Sequence, residues 1–282
     1  MNKVVICSDS TCDLTKEILA SIDVQTVPLH VTFQDETYDD GKNLTTIEMY
    51  KMVDEKGYLP KTSAVSPGEF ILFFEPVVEK GYDIVYLGIG GALSATLQSA
   101  KVAIDEFPEG RIHLVDSMNL SSGTGLLVLK AAKLRDQGLS AAEIASELEK
   151  IVPKVRSQFA IETLEYLHKG GRCSGTARLF GTMLKLKPII KVIDGSLHVG
   201  KKPIGKITRA LDVMIDELIL VKDQIDPDFL MVTHSLADEA AKYAIEKLKR
   251  LVEVNQVYET HAGCAISTHC GRGTIGILYI MK

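Results

Sequence analysis

The chain has 282 residues, of which 46% are hydrophobic and 24% charged, and a formal net charge of −5. That length suits two domains of roughly 100–200 residues each, and the composition is that of a soluble α/β protein. No stretch reaches the ~20 apolar residues of a membrane span. The opening MNKVVICSDS is too short an apolar run for a secretory signal, and five cysteines, an odd number, do not make a disulfide framework. A cytoplasmic, reduced protein without an integral membrane segment is expected.

In chain order, KVVICSDS (3–10) reads as a short strand ending on polar residues, and QTVPLHVTF (25–33) as a second strand. Residues 45–57 read as a helix capped near Thr45 or Thr46. Ser66 followed by Pro67 marks the next helix, with serine as N-cap and proline at the first helical position. A strand at 82–89, a helix at 94–105, a strand at 111–117 and a helix opening near Leu120 follow. Ser140, three residues before Glu143, forms a capping box for one more helix. Alternation of this kind predicts a three-layer α/β/α domain with a mostly parallel sheet over residues 1–155.

Beyond residue 155 the rhythm changes. Strands at 156–161, 188–193 and 197–203 lie close together, and Asp194-Gly195 is a two-residue hairpin signal. A helix at 207–222, a strand at 229–234, a helix at 236–250 and strands at 254–260 and 274–281 complete the chain. Residues 156–282 are therefore expected to form an α+β domain with a mixed or antiparallel sheet.

Ligands of open parallel sheets sit beyond the carboxyl ends of the strands. Three strand ends point to one region: Asp9-Ser10, the loop Gly88 to Ser94, and Asp116-Ser117. The loop, with Gly90 and Gly91, lacks both the third small residue of a dinucleotide fingerprint, where Leu93 stands, and the lysine of a Walker motif. What remains is a glycine turn with Ser94 and Thr96 opening a helix, a setting that favours an anion of any kind. A second hydroxyl cluster, Thr62 and Ser63, precedes the helix at Pro67. Neither cluster has an evident base nearby, which suits hydrogen bonding to an anion better than nucleophilic attack. His269 stands beside Gly271 and Gly273, which permit close backbone approach. A metal set of His261, Cys264, His269 and Cys270 matches no zinc spacing, so no metal is expected.

Charge is uneven. Lys169 to Arg209 carries ten Lys/Arg against one acid, a net +9, which leaves −14 for the remainder. Such a face suits an anionic partner. Nucleic acid is not expected, because the whole-chain pI is about 5.8 and aromatics are not interleaved.

Together DSTCDL (9–14), KTSAVSPGEF (61–70), GIGGALSATLQSA (88–100), VDSMNLSSGTG (115–125), LEYLHKGGRCSG (164–175), KLKPII (185–190) and STHCGRGTIG (267–276) resemble the DegV family, the fatty-acid-binding proteins of bacterial fatty acid kinase systems. The segments run in family order over nearly the whole chain. Ala95 stands where the family usually has glycine, and Arg272 where it has proline. The resemblance implies two α/β domains with a long-chain fatty acid (palmitate, stearate or oleate) between and within them. Its carboxylate is then bound by Thr62, Ser63, Ser94 and His269, and no other cofactor is required. It further implies a carrier rather than an enzyme, one that presents the carboxylate to a separate ATP-dependent kinase for acyl phosphate formation. Lys169, Arg172, Lys201, Lys202, Lys206 and Arg209 become candidates for docking that kinase. The alternatives are a phosphoryl or acyl transferase at the same strand ends, or a carrier of another small apolar carboxylate.

Overall fold

The computed structural model describes residues 3–173 and 186–282. The first sheet is parallel, in the order β2-β1-β6-β7, from β1 (Val4–Asp9), β2 (Val24–Val27), β6 (Asp83–Gly88) and β7 (Ile112–Asp116). All six residues of β1 are buried, as a central strand covered on both faces requires. Alternation decides which layer each residue meets. Val5, Cys7, Ile84 and Tyr86 pack with α3 (Pro67–Glu79) and α4 (Thr96–Ala103). Val4, Ile6, Val85 and Leu87 pack with α5 (Ser122–Asp136) and α6 (Ala141–Ile151).

The second sheet is mixed, in the order β10-β9-β8-β13-β11-β12. Its strands are β8 (Val155–Ala160), β9 (Ile189–Ile193), β10 (Ser196–Val199), β11 (Ile225–His234), β12 (Gln256–His261) and β13 (Ile275–Met281). One face is covered by α8 (Ile207–Ile219) and α9 (Asp238–Leu251). The other meets α5: Val155, Met231, Leu278 and Ile280 share a core with Leu126, Leu127 and Val128. Helix α5 is thus sandwiched between two sheets, and every residue from Ser122 to Ala132 is buried. Its one buried cation, Lys130, places Nζ 2.8 Å from Asp226 and 2.6 Å from Asp228. The two-domain α/β architecture expected from the alternation is the one observed.

Two of the differences from the sequence expectation bear on the site. The strand expected over 25–33 is broken at Pro28, which cannot donate to a ladder. Its first part is β2, and its second is β3 (His30–Phe33), the centre of a small antiparallel sheet with β4 (Glu36–Asp39) and β5 (Lys61–Ser63). The segment around His269, to which the sequence reading assigns no element, is helical. It holds α10 (Cys264–Cys270), whose start is fixed by two buried carboxylates. Gly263 N–H donates to Asp13 at 2.9 Å and Cys264 N–H to Asp40 at 2.7 Å. Ala265, Cys264 and Ile266 belong to three different core clusters, so α10, which follows β12 in the chain, is keyed into the elements of the first 155 residues.

Candidate functional site

Stretches far apart in the chain, among them β5, the glycine loop, the end of α7 (Glu165–Gly170) and α10, meet at a cavity of about 150 Å³. Its polar lining is Thr11, Thr62, Ser63, Ser94, Arg172 and His269. Leu29, Ile89, Leu93, Leu120, Phe159, Leu167, Leu197 and Ile266 supply most of the rest. A polar end on an apolar chamber is the arrangement that a ligand with an anionic head and a hydrocarbon body requires. A larger cleft, about 330 Å³, opens beside Met118, Arg156, Lys191, Asp194 and Glu217. None of the expected carboxylate-binding residues reaches it, and Lys191 is already paired with Glu217 at 2.6 Å.

The Thr62 hydroxyl oxygen lies 2.8 Å from His269 Nε2. Pairing of β5 with β3 places Thr62 opposite Val31, while α10 brings His269 from the far end of the chain. Burial, with the positive charge of Arg172 adding to it, pushes the imidazole down to about 4, so it is neutral at pH 7. Nδ1 is buried without a hydrogen-bond partner among the described residues, and a Cβ at Gly170 would lie 2.2 Å from it. The single imidazole proton therefore belongs on Nε2, the nitrogen with a partner. That tautomer makes Thr62 the acceptor and leaves its own O–H free to donate into the cavity.

Ser94 Oγ sits 2.9 Å from the Thr96 hydroxyl and accepts from Thr96 N–H at 3.3 Å, tying it to the start of α4. No histidine or carboxylate hydrogen-bonds it among the described residues. Ser63, exposed on β5, lines the same cavity.

The remaining strand-end residues hold the loops rather than face the cavity. Asp9 is fully buried and accepts from Tyr86 O–H at 3.0 Å, Ile89 N–H at 2.9 Å and Thr11 N–H at 3.0 Å. Burial raises its pKa, and those hydrogen bonds offset part of the rise. It thereby positions Thr11 and Ile89, which do line the cavity. Ser10 donates to Asp40 and accepts from Leu29 N–H. Gly90 N–H donates to Asn119 C=O at 2.7 Å, and Gly91 N–H to Asp116 at 3.2 Å. These two amides are committed within the protein and are not ligand donors. A Cβ at Gly90 would meet Asn119 N at 3.0 Å, which is why glycine is needed there. Ser117 bonds Thr124 and the backbone of Asn119. Gly271, at φ 83°, gives room to the ring of Tyr166, which a Cβ would meet at 2.8 Å.

The model of the family described as an uncharacterised protein, DegV family, matches residues 3–282. A DegV domain-containing protein of Clostridium acetobutylicum is 33% identical, with all of both chains covered. The chain belongs to the DegV family. Among solved structures of DegV proteins, one from Thermus thermophilus described by its fatty acid binding is 29% identical, covering 99% of this chain and all of that one, with a TM-score of 0.92. DegV of Bacillus subtilis, described as a fatty acid binding protein, is 28% identical with all of both chains covered and a TM-score of 0.87. A stearic acid-binding protein of Eubacterium ventriosum is 28% identical, covering all of this chain and 99% of its own, with a TM-score of 0.88.

In this DegV protein the six basic residues expected to dock a partner are all exposed, but they divide by position. Arg172 lines the cavity, donates to Gly170 C=O at 2.7 Å and acts electrostatically on His269. Lys169 pairs with Glu165 at 2.7 Å and Lys201 with Glu217 at 3.0 Å. Lys202, Lys206 and Arg209 lie on the approach to α8 and its first turn. Two further charges of the basic stretch, Arg178 and Lys185, fall outside the described residues, as do parts of the two family-like segments around them. Arg272 is held over the Tyr50 ring, 4.8 Å from its centre, and by Asp54 at 2.9 Å, and it does not line the cavity. No group of His, Cys, Asp and Glu among the described residues is placed to hold a metal, and no described helix is long and apolar enough to cross a membrane.

Nothing in the sequence singles out Phe159, Leu167 and Leu197 as cavity lining. Their alternation marks buried strand or helix faces, and no local signal separates a core face from a cavity wall.

Proposed function

We propose that this chain binds a long-chain fatty acid in the cavity described above and presents its carboxylate to a separate ATP-dependent kinase, which forms the acyl phosphate. The observation that carries the reading is the convergence of the Thr62–His269 pair and Ser94 on the polar end of an apolar chamber. Thr62, Ser63 and Ser94 supply hydroxyl donors for the carboxylate, and His269 orients Thr62. The division into head-group and closing units lies at residues 155 and 156, with α10 returning across it.

The donor set fits a carboxylate that must later react. Buried anions need hydrogen-bond partners, and neutral hydroxyls provide them without a tight ion pair. An oxygen so held keeps the electron density it needs to attack a γ-phosphate. Arg172 at the rim adds one positive charge, which favours entry of an anion and is shared with solvent. Affinity comes from the tail, at ~0.8 kcal/mol per buried CH₂ before entropic losses. A carrier role also accounts for what surrounds the site. Asp9, Asp13 and Asp40 are all engaged by internal donors, and His269 contacts Thr62, leaving Ser94 without a base.

Incubation of the palmitate-loaded protein with a fatty acid kinase, ATP and hydroxylamine tests the reading. Formation of palmitoyl hydroxamate only when both proteins are present supports it. Hydroxamate formed by this chain alone would favour the transferase alternative.

A further inference from the structure

The larger cleft, about 330 Å³, shares no described lining residue with the cavity that holds Thr62 and His269. It opens where two strands part. β8 and β9 pair from Ala160–Ile189 to Gln158–Lys191, and there the rungs stop. From that point β8 runs on beside β13 alone, and β9 beside β10 alone. Met118, against which Gly195 of the β9–β10 turn packs, also lines the gap. A volume of this size is within the range of small-molecule sites.

Strand alternation sorts the polar lining. Arg156 and Gln158 lie on the same face of β8, beside their cross-strand partners Tyr279 and Lys191 and toward α8. Arg156 Nη1 donates to the carbonyls of Pro153 at 2.8 Å and Val155 at 3.1 Å. Those bonds fix the guanidinium plane and leave free its Nε–Nη2 edge, which can grip a carboxylate with two parallel hydrogen bonds. Gln158 Nε2 donates to Met214 C=O at 3.2 Å, and its buried Oε1 has no partner among the described residues. The floor of the cleft is one donor short.

The charges divide in the same way. Lys191 and Lys201 satisfy Glu217, at 2.6 and 3.0 Å. Arg156 and Asp194 belong to no ion pair among the described residues. One stands on β8 and the other at the exposed tip of the β9–β10 turn, and both line the cleft. Arg156 and Lys191 balance Asp194 and Glu217, so a polyanion meets as much repulsion here as attraction. Val152, Pro153 and Val192 add apolar surface.

We propose that this cleft is a second ligand site, and that it takes a small zwitterion with an apolar body, the class of the free aliphatic α-amino acids. The carboxylate meets the Nε–Nη2 edge of Arg156. The ammonium turns to Asp194 and the Gln158 carboxamide, and the side chain lies on Val152, Pro153 and Val192. The site is separate from the fatty-acid cavity and does not depend on how that cavity is read.

The test is isothermal titration of the full-length parent with L-leucine, with isovalerate, which lacks the ammonium, and with isopentylamine, which lacks the carboxylate. L-leucine is expected to bind at one per chain with a Kd of about 1 mM or below. Isopentylamine should bind about tenfold or more weaker, having lost a charge-assisted pair, and isovalerate about threefold or more weaker. Arg156→Gln should raise the Kd for L-leucine about tenfold or more. Arg156→Lys, which keeps the charge without the fork, should also raise it and serves if the glutamine variant fails to fold. Asp194→Asn should raise it about threefold, and asparagine keeps the left-handed turn at φ 48°. Ser94→Ala should leave it unchanged. A parent that takes up no L-leucine, isovalerate bound as tightly as L-leucine, or unaltered affinity in the folded Arg156 variants would each overturn the proposal.

Discussion

Thr62 and His269 are separated by 207 positions in the chain and by 2.8 Å in space. One sits on an edge strand of the small antiparallel sheet and the other on the last helix, so the pair forms only once the whole chain has folded. It joins a neutral imidazole to a hydroxyl that has its own proton to give, at the polar end of a chamber otherwise made of leucine, isoleucine and phenylalanine.

Ser94→Ala and Thr62→Val each remove one donor from a buried carboxylate. Loss of one partner from such a group costs about 1–3 kcal/mol, so Kd for palmitate by isothermal titration is expected to rise about 5- to 150-fold. Ser66→Ala, at the N-cap of α3 outside the cavity, should lower stability by about 1 kcal/mol without this loss of affinity.

His269 sets a pH limb of stability. Its folded pKa, about 4, lies below the ordinary histidine value near 6.5, so the unfolded chain takes up a proton in that window and the folded chain does not. Stability is full above ~6.5 and is lost as the pH falls toward 4. In urea unfolding at pH 7, 6, 5 and 4, His269→Gln should show a shallower decline than the parent over that range. Equal slopes would mean that the imidazole is not held neutral by the fold.

Asp13 and Asp40 behave in the opposite sense. Burial raises both carboxyls, so the folded state retains protons that the unfolded chain releases, and their contribution weakens as pH rises through the window above ~4. They nevertheless hold the start of α10 through Gly263 and Cys264. Asp40→Ala orphans the buried Cys264 N–H, at about 1–3 kcal/mol, and takes from the half-buried Ser10 hydroxyl its acceptor. The expected result is a drop in melting temperature together with weaker fatty acid binding, because His269 rides on the same helix.

The fold was legible where one layer decides the pattern. The N-cap at Ser66 was readable from the proline after it, the capping box at Ser140 from its three-residue spacing, and the Asp194-Gly195 turn from its dipeptide, because local backbone chemistry suffices for each. The break at Pro28 was legible in principle, since a proline in a central strand argues against a continuous one. Helix α10 was harder: its start is fixed by Asp13 and Asp40, more than two hundred residues away, and no short-range signal shows that.

For the site, hydroxyls near glycine turns suggested an anion, and family likeness singled out Thr62, Ser94 and His269. The roles of Asp9, Gly90, Gly91 and Asp116 were not readable. Whether a strand-end carboxylate or amide faces a ligand or a neighbouring loop depends on tertiary partners alone.

Charge reversal separates the two uses of the basic stretch. Lys202→Glu, Lys206→Glu and Arg209→Glu together should leave palmitate affinity unchanged while slowing kinase-dependent acyl phosphate formation, most clearly at low salt, where exposed charges are least screened. Arg172→Glu should lower both, since it lines the cavity. Unchanged kinase coupling in the triple variant at low and high salt would remove that surface from the docking account.

The most direct measurement is organic extraction of the purified full-length chain followed by mass spectrometry of the extract. A long-chain fatty acid recovered at about one per chain from the parent, and at a clearly lower level from the Thr62→Val, Ser94→Ala double variant, is the predicted result. A parent free of fatty acid that also fails to take up added palmitate would contradict it.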